Sequence, residues 1–551
     1  MEAIAWVCAL AALVVLVYGA TVRFGYVEFD DPLYVSENPT VRAGLTWAGV
    51  RWAMSSGVTG NWHPVTWLSL MADESLGGGA ATHHAVNVLL HLVNTLLVFG
   101  LLASSTGRLE LSGWVAALFA VHPLHVESVA WISERKDLLC ALFGLISIGA
   151  YARAGVEGRS TAYVASLVAY AASLASKPML VTMPILLLVV DGWPLARARS
   201  ILDKVPYAVL AACASALALV SQRGVGAVAS SEAVAWSQRA ANVFVSGFAY
   251  LSDIVWPVAL SPLRGFPPGG HSVWSVAFAV VVLGALFGLA WAARRERPWI
   301  VAGVAWFAVS LIPVIGLVQI GVQSRADRYM YLPIVGPLVA LVFTIGHQDG
   351  SGHRKTLARA LGIVVVGVLA WVARDQTRVW RNGITVFARA AEIQPWNAYA
   401  QHGLGIALHT HGETASAIPP LASAVKLNPG RADFRKDYAG VLFEAGRRTE
   451  GIAELRAAVE IDPGDTRTRV DLARLRAVDG DMAGALREFD DILRRTADPY
   501  ALKWAGATLL LAGRAEDAKA ALVEALRLEP NDTQARNWLK EIRAGEATDP
   551  R

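Results

Sequence analysis

Two adjacent carboxylates, Asp30 and Asp31, lie in FGYVEFDDPLYV (24–35), just beyond the first long apolar run of the chain. A carboxylate within hydrogen-bond reach of a hydroxyl can act as its general base. A second polar stretch, HPLHVESVAWISERKD (122–137), gathers His122, His125, Glu127, Glu134, Arg135, Lys136 and Asp137 between two apolar runs. Lys177 at the end of another run, and Arg325 and Arg328 in QSRADRYMYLP, add cations. A lone snorkelling cation is ordinary. Several of them on the side of the acid pair suit a phosphate leaving group, whose growing charge they would stabilise. The combination fits transfer of a sugar from a polyprenyl phosphate whose tail stays in lipid. By residue type, His122, His125 and Glu127 could also hold a metal. Pro123 breaks any simple helical face there and no second ligand cluster follows, so loop orientation or anion binding is preferred. A metal is not favoured, and no cofactor is expected.

The elements that must position these residues are membrane helices. Of 551 residues, 54% are hydrophobic and 17% charged, and the mean hydropathy is +0.42. A soluble protein has nearer a quarter charged residues, so an integral membrane protein is indicated. Residues 1 to about 375 carry the apolar runs; the remainder has the charge density of a soluble domain. At roughly 20 apolar residues per span, about eleven spans are expected: 3–20, 84–104, 111–125, 137–153, 161–176, 178–192, 204–221, 272–293, 299–320, 331–346 and 357–373. Two of the shorter ones could be re-entrant. The stretch 241–260, interrupted by Asp253 and Pro257, reads as an interfacial or re-entrant helix. The first run lacks a basic n-region and a cleavage site, so it reads as a retained span.

Basic residues fall in alternate short loops: Arg108; Arg153 and Arg159; Arg197, Arg199 and Lys204; Arg294, Arg295 and Arg297; Arg354, Lys355 and Arg359. The positive-inside rule then puts the N-terminus in the cytoplasm and the candidate site, with the C-terminal domain, outside it. Cys8, Cys140 and Cys213 lie inside apolar runs without paired spacing, which argues against a disulfide framework. A net charge of +4, with no basic tract or zinc spacing, excludes a nucleic-acid partner. The loop 21–83 is too long for a simple connection. Its Trp47, Trp52, Trp62 and Trp67 suit helices at a membrane interface.

After 375 the chain repeats. Gly405, Gly412, Ala417, Leu421, Ala424 and Pro429 stand at tetratricopeptide spacing. Steps of about 34 residues bring Gly446, Leu455 and Pro463, then Gly480 and Phe489, then Gly513, Ala518 and Pro530. Repeats are placed at about 398–431, 432–465, 466–498 and 499–532, with a partial repeat around VFARAAEIQP and a polar capping helix at 533–543. The domains are therefore 1–375, a membrane domain; 376–545, a repeat domain that binds a protein; and 546–551, a disordered tail. The fold class is all-α.

The ordered series FDDPLYVSENPTV, NWHPVTWLSLMAD, HHAVNVLLHLVN, HPLHVESVAWISERKDLL and QSRADRYMYLP, followed by tetratricopeptide repeats, resembles the transmembrane and tetratricopeptide-repeat-containing O-mannosyltransferases and their bacterial relatives. The resemblance covers nearly the whole chain. It implies a GT-C-like glycosyltransferase that uses lipid-phosphate sugars, with the acidic motif of its first extracytoplasmic loop at Asp30 and Asp31. It favours Asp30 as the base and Asp31 as support, and does not call for a metal. SKPMLVTMP departs from relatives that often carry an acid after the lysine, which bears on Lys177. The Ala-, Gly-, Arg- and Val-rich composition suits a GC-rich bacterium and its inner membrane. The expected partners are a polyprenyl-phosphate sugar, an acceptor protein or glycan, and membrane lipid. A non-catalytic membrane scaffold for envelope proteins is the alternative. A transporter fits less well, since the ionisable residues gather at one face rather than along a path.

Overall fold

The computed structural model describes residues 1–157, 160–198, 200–224, 235–317, 321–347 and 352–544. Arg159, Arg199, the last residues of the 299–320 segment and the expected tail 546–551 lie outside them. The fold is all-α, with one two-residue pairing of Arg264–Gly265 against Gln323–Arg325 among the described residues.

Each of the eleven expected apolar segments carries a helix in its described residues, although that of 299–320 ends at Leu311 and that of 331–346 begins at Val335. Among the described residues six helices are long and apolar enough to cross a membrane: Glu2–Arg23, Gly79–Thr106, Ile132–Gly155, Leu202–Arg223, Val273–Arg295 and Gly352–Arg381. Leu109–Val121 with Pro123–Ala130 makes a seventh, bent by 55° where Pro123 cannot continue the hydrogen-bond ladder. Four more are apolar but short: Ser160–Leu174, Pro178–Gly192, Pro298–Leu311 and Val335–Gly346. At 1.5 Å per residue, a 15-residue helix covers only about 22 Å of a hydrocarbon core near 30 Å. Four segments are thus short of a full span.

Small residues set the packing. Gly303 and Gly336 bring Pro298–Leu311 and Val335–Gly346 into backbone contact, so a Cβ at either would collide with the other's carbonyl oxygen. Helix Trp236–Val255 is inverted in polarity: Arg239, Asn242, Ser246, Tyr250 and Asp253, three and four residues apart, face inward and are buried. In the loop after the first helix, Asn38 and Thr46 cap the helices Pro39–Arg42 and Trp47–Ser55. Trp67 is fully buried against Tyr34 and Trp52, whereas Trp47 is exposed, so two of the four tryptophans form a local core rather than an interfacial belt.

By contacts the chain divides at 396/397, not at 375. Helix Gly383–Ile393 accounts for the difference. Phe387 packs edge-on to Phe29, and the Gly383 N–H donates to Glu28 at 2.8 Å, so this helix belongs to the first unit. The second unit is a run of helix pairs: Ala398–Thr410 with Thr414–Leu427, Ala432–Glu444 with Arg448–Ile461, Thr466–Val478 with Met482–Arg495, and Pro499–Leu511 with Ala515–Leu528. Between the members of each pair stands Gly412, Gly446, Gly480 or Gly513, with φ of 82°, 76°, 94° and 74°, a left-handed turn that only glycine adopts freely.

Candidate active site

Asp31 precedes the single π turn Pro32–Ser36 and is fully buried. One carboxylate oxygen accepts from the Val27 N–H at 2.8 Å. The other accepts from the Ser133 N–H at 3.0 Å and from the Ser133 hydroxyl. Burial pushes this carboxyl up to about 6, against the pull of those donors. Its acceptors are occupied in tying the loop to the 122–137 segment.

Asp30, one residue earlier, points elsewhere. Its side chain keeps 36% of its surface exposed and lies 4.0 Å from the Lys136 ammonium. The recess around it raises the carboxyl above its ordinary range, and Lys136 pulls it back. Asp30 is the member of the pair that a hydroxyl can reach.

Behind Asp30 runs a continuous charge network. Lys136 contacts Glu134 at 3.2 Å and donates to the Tyr34 hydroxyl at 3.3 Å. Lys177 contacts Glu134 at 3.0 Å and Asp137 at 2.7 Å. Arg328 pairs with Glu127 and contacts Glu134 at 3.3 Å, and its own N–H donates to Glu127 at 3.0 Å. Glu134 is the hub, met by all three cations and almost completely buried. Such charges persist away from water only when partnered. The three cation side chains keep 9%, 17% and 12% of their surface exposed. Each of these cations is paired with a carboxylate, a detail the residue types alone did not show.

Four expected members stand apart from this network. Arg135 is fully buried, contacts Asp73 at 2.5 Å, and donates to the Asn87 side-chain amide oxygen at 2.8 Å and to the His83 backbone carbonyl at 2.8 Å, which locks the loop onto helix Gly79–Thr106. Arg325 pairs with Asp253, beside Arg264 and Asp327 at 3.5 Å. His122 contacts the Ile254 carbonyl at 3.0 Å through Nε2 and accepts from the Leu124 N–H through Nδ1. His125 Nδ1 contacts the Phe119 carbonyl at 2.7 Å, and its ring lies against Phe119 and Tyr331. Both imidazoles are buried, and among the described residues no three His, Cys, Asp or Glu side chains group as a metal would require. Glu127, Lys136, Lys177 and Arg328 are brought together, with Asp30 beside Lys136.

Sequence reasoning missed Tyr34, His63 and Trp131. Trp131 stacks on Phe29 at 5.1 Å and on Trp380 at 5.2 Å, and both Lys136 and Arg328 lie over its ring. Tyr34 stacks on His63 and lies under Lys136 at 4.7 Å. Burial and the Lys136 charge push His63 down to about 3, so it is neutral. The one signal was Tyr34's place four residues after Asp30 on the same turn. The arrangement offers a reachable carboxylate with cations within a few ångströms, on a buried aromatic support.

A tetratricopeptide repeat family model matches residues 442–503. Among known proteins, the chain is 28% identical over 485 residues to human protein O-mannosyl-transferase TMTC4, an alignment that takes 75% of this chain and 65% of that protein. It is 23% identical over 428 residues to the Caenorhabditis elegans protein O-mannosyl-transferase F38B6.6, covering 73% and 60%. Over a shorter 155 residues it is 35% identical to Drosophila melanogaster Tmtc1, covering 26% and 18%. The solved tetratricopeptide protein YrrB aligns at a TM-score of 0.27 and 19% identity over 34% of this chain and 98% of that one. The protein is thus a relative of the transmembrane and tetratricopeptide-repeat O-mannosyltransferases, as its motifs suggest. The chain spans about 65% of the length of the human relative.

Proposed function

We propose that this protein is a GT-C-like membrane glycosyltransferase that moves a sugar from a polyprenyl-phosphate donor to a hydroxyl of a protein or glycan acceptor. It would act on the extracytoplasmic face of a bacterial inner membrane, with the repeat domain on the same side binding the acceptor or a partner. In the proposed step Asp30 takes the acceptor hydroxyl's proton while that oxygen bonds to the anomeric carbon. The bond from that carbon to the phosphate oxygen breaks, and the electron pair leaves on the phosphate. Lys136, Lys177 and Arg328 meet the charge that grows there. Asp31, Arg135 and Tyr34 position these groups.

The observation that carries this reading is the asymmetry of the acid pair: Asp31 is enclosed by three donors, and Asp30 is left reachable beside Lys136. The scaffold alternative draws on the neutralised network, which would also serve a purely structural role. Purified protein in detergent, given a panel of polyprenyl-phosphate sugars, tests the choice. Release of polyprenyl phosphate and labelled acceptor is the expected result; inertness towards every donor, with a well-folded protein, would favour the scaffold.

A further inference from the structure

A cavity of about 880 Å³ lies within the first unit, between helices Gly79–Thr106, Arg135–Glu157, Met183–Gly192, Pro298–Leu311 and Val335–Gly346. That volume is within the range of about 300–1,000 Å³ typical of small-molecule sites. Its wall is almost entirely aliphatic and aromatic. Polar groups enter it at one end, where Ser104, Ser105 and the exposed Arg153 stand near Trp193. That end is the far one from the candidate site. Lys136 and Arg153 share helix Arg135–Glu157, and the 17 residues between them rise about 25 Å, close to the thickness of a bilayer's hydrocarbon core.

The wall is held in place there. Asp191, fully buried, accepts from the Tyr151 hydroxyl at 3.0 Å and from Arg197 Nε at 2.6 Å, and pairs with Lys204. These bonds fix the turn that carries Trp193 onto helix Arg135–Glu157, so the cavity is preformed.

We propose that this cavity holds an acyl chain of an anionic glycerophospholipid drawn from the leaflet opposite the candidate site, with its phosphate at Arg153. An apolar wall at membrane depth is complementary to a hydrocarbon chain. Arg153 is the one charged residue that lines the cavity, and an exposed cation at a membrane surface favours anionic headgroups. A donor whose phosphate lies by Lys136 would have its headgroup at the wrong end for Arg153. The site is therefore assigned to a resident lipid and not to the reaction.

The test is native mass spectrometry of the full chain in detergent, with phosphatidylglycerol, phosphatidylcholine of the same chains, or polyprenyl phosphate added in turn. Phosphatidylglycerol should be retained over phosphatidylcholine. Arg153→Gln should cut that preference about fivefold, the effect of one surface cation. Ala302→Phe, which fills the cavity from its wall, should lower retention of both phospholipids about tenfold or more. Equal retention of the two phospholipids by the wild type, or undiminished retention in a folded Ala302→Phe protein, would overturn the proposal. Displacement of phosphatidylglycerol by equimolar polyprenyl phosphate would overturn it too, since the cavity would then belong to the donor. If Ala302→Phe fails to unfold cooperatively, Arg153→Gln decides alone, and an unchanged preference refutes. No sugar transfer enters the measurement, so its outcome is independent of the proposed activity.

Discussion

Asp30→Asn should separate chemistry from stability. The substitution keeps the shape and removes the base. On the stability side, Asp30 contributes one partly exposed contact to Lys136 at 4.0 Å, and Lys136 keeps Glu134 at 3.2 Å and the Tyr34 hydroxyl at 3.3 Å. Exposed ion pairs are worth about 0–1 kcal/mol, so unfolding of the variant should shift by no more than that. On the chemical side, loss of a general base commonly costs about 10²–10⁴-fold. The wild type should also show an acid limb in its pH–rate profile. Asp30 works only when ionised, so the rate rises with pH through its carboxyl titration, which burial has moved above the ordinary range. That limb should vanish in the variant. The assay is turnover of a polyprenyl-phosphate sugar, alongside thermal unfolding of the same preparation. Full activity in Asp30→Asn would refute the assignment, and so would an activity loss matched by loss of fold.

Asp31→Ala strands two buried backbone N–H groups, at about 1–3 kcal/mol each, partly offset by removing a buried carboxylate. A net destabilisation of about 2 kcal/mol is expected in thermal unfolding, and a stable variant would remove its positioning role. His63 is held neutral with its titration lowered to about 3, against about 6.5 when unfolded. Unfolding therefore takes up a proton below about pH 6.5, and by pH 5 this group should have lost about 2 kcal/mol of stability. His63→Phe keeps the stack on Tyr34 and should show a correspondingly smaller drop between pH 7.5 and 5; an identical drop would contradict it. Arg328→Ala leaves Glu127 and Glu134 short of a buried partner, at about 3–5 kcal/mol. Arg328→Lys should restore part of that stability, yet its kinetics should depend more on donor than on acceptor concentration. Equal effects on both would make Arg328 structural only. A reporter active only in the cytoplasm, fused after residue 544, should stay silent, and strong signal would reverse the proposed orientation.

The helices were legible because apolar runs and repeat spacing are local signals. Gly412, Gly446, Gly480 and Gly513 show this well, since each marks a turn by its own backbone geometry. The length shortfall of Pro298–Leu311 was less legible, because apolar residues continue into the turn after Leu311. The site was legible as a neighbourhood and not as an arrangement. Asp30 and Asp31 are adjacent, as are Arg135 and Lys136, and neighbours on a helical turn point in different directions. Arg135 goes to Asp73 and Lys136 to Glu134. Nothing in the residue types tells those choices apart, because the partner that draws Arg135 away, Asp73, lies far off in the chain. His122 and His125 misled for a related reason: the carbonyls of Ile254 and Phe119 that hold them carry no mark in the sequence.

The network joining Asp30 to Arg328 holds four carboxylates and three cations, so it starts with one formal negative charge in excess. A loaded carrier, a phosphodiester, brings one more. If transfer runs as proposed, the proton that Asp30 gains and the charge that the phosphate gains cancel, and the recess passes through the step with its total charge unchanged. The imbalance comes afterwards. Once Asp30 returns its proton to water, a doubly charged carrier faces a recess that is again negative, and mutual repulsion drives the spent lipid out. A recess with one negative charge in excess would thus retain the loaded carrier more readily than the empty one, and the direction of traffic would follow from charge alone.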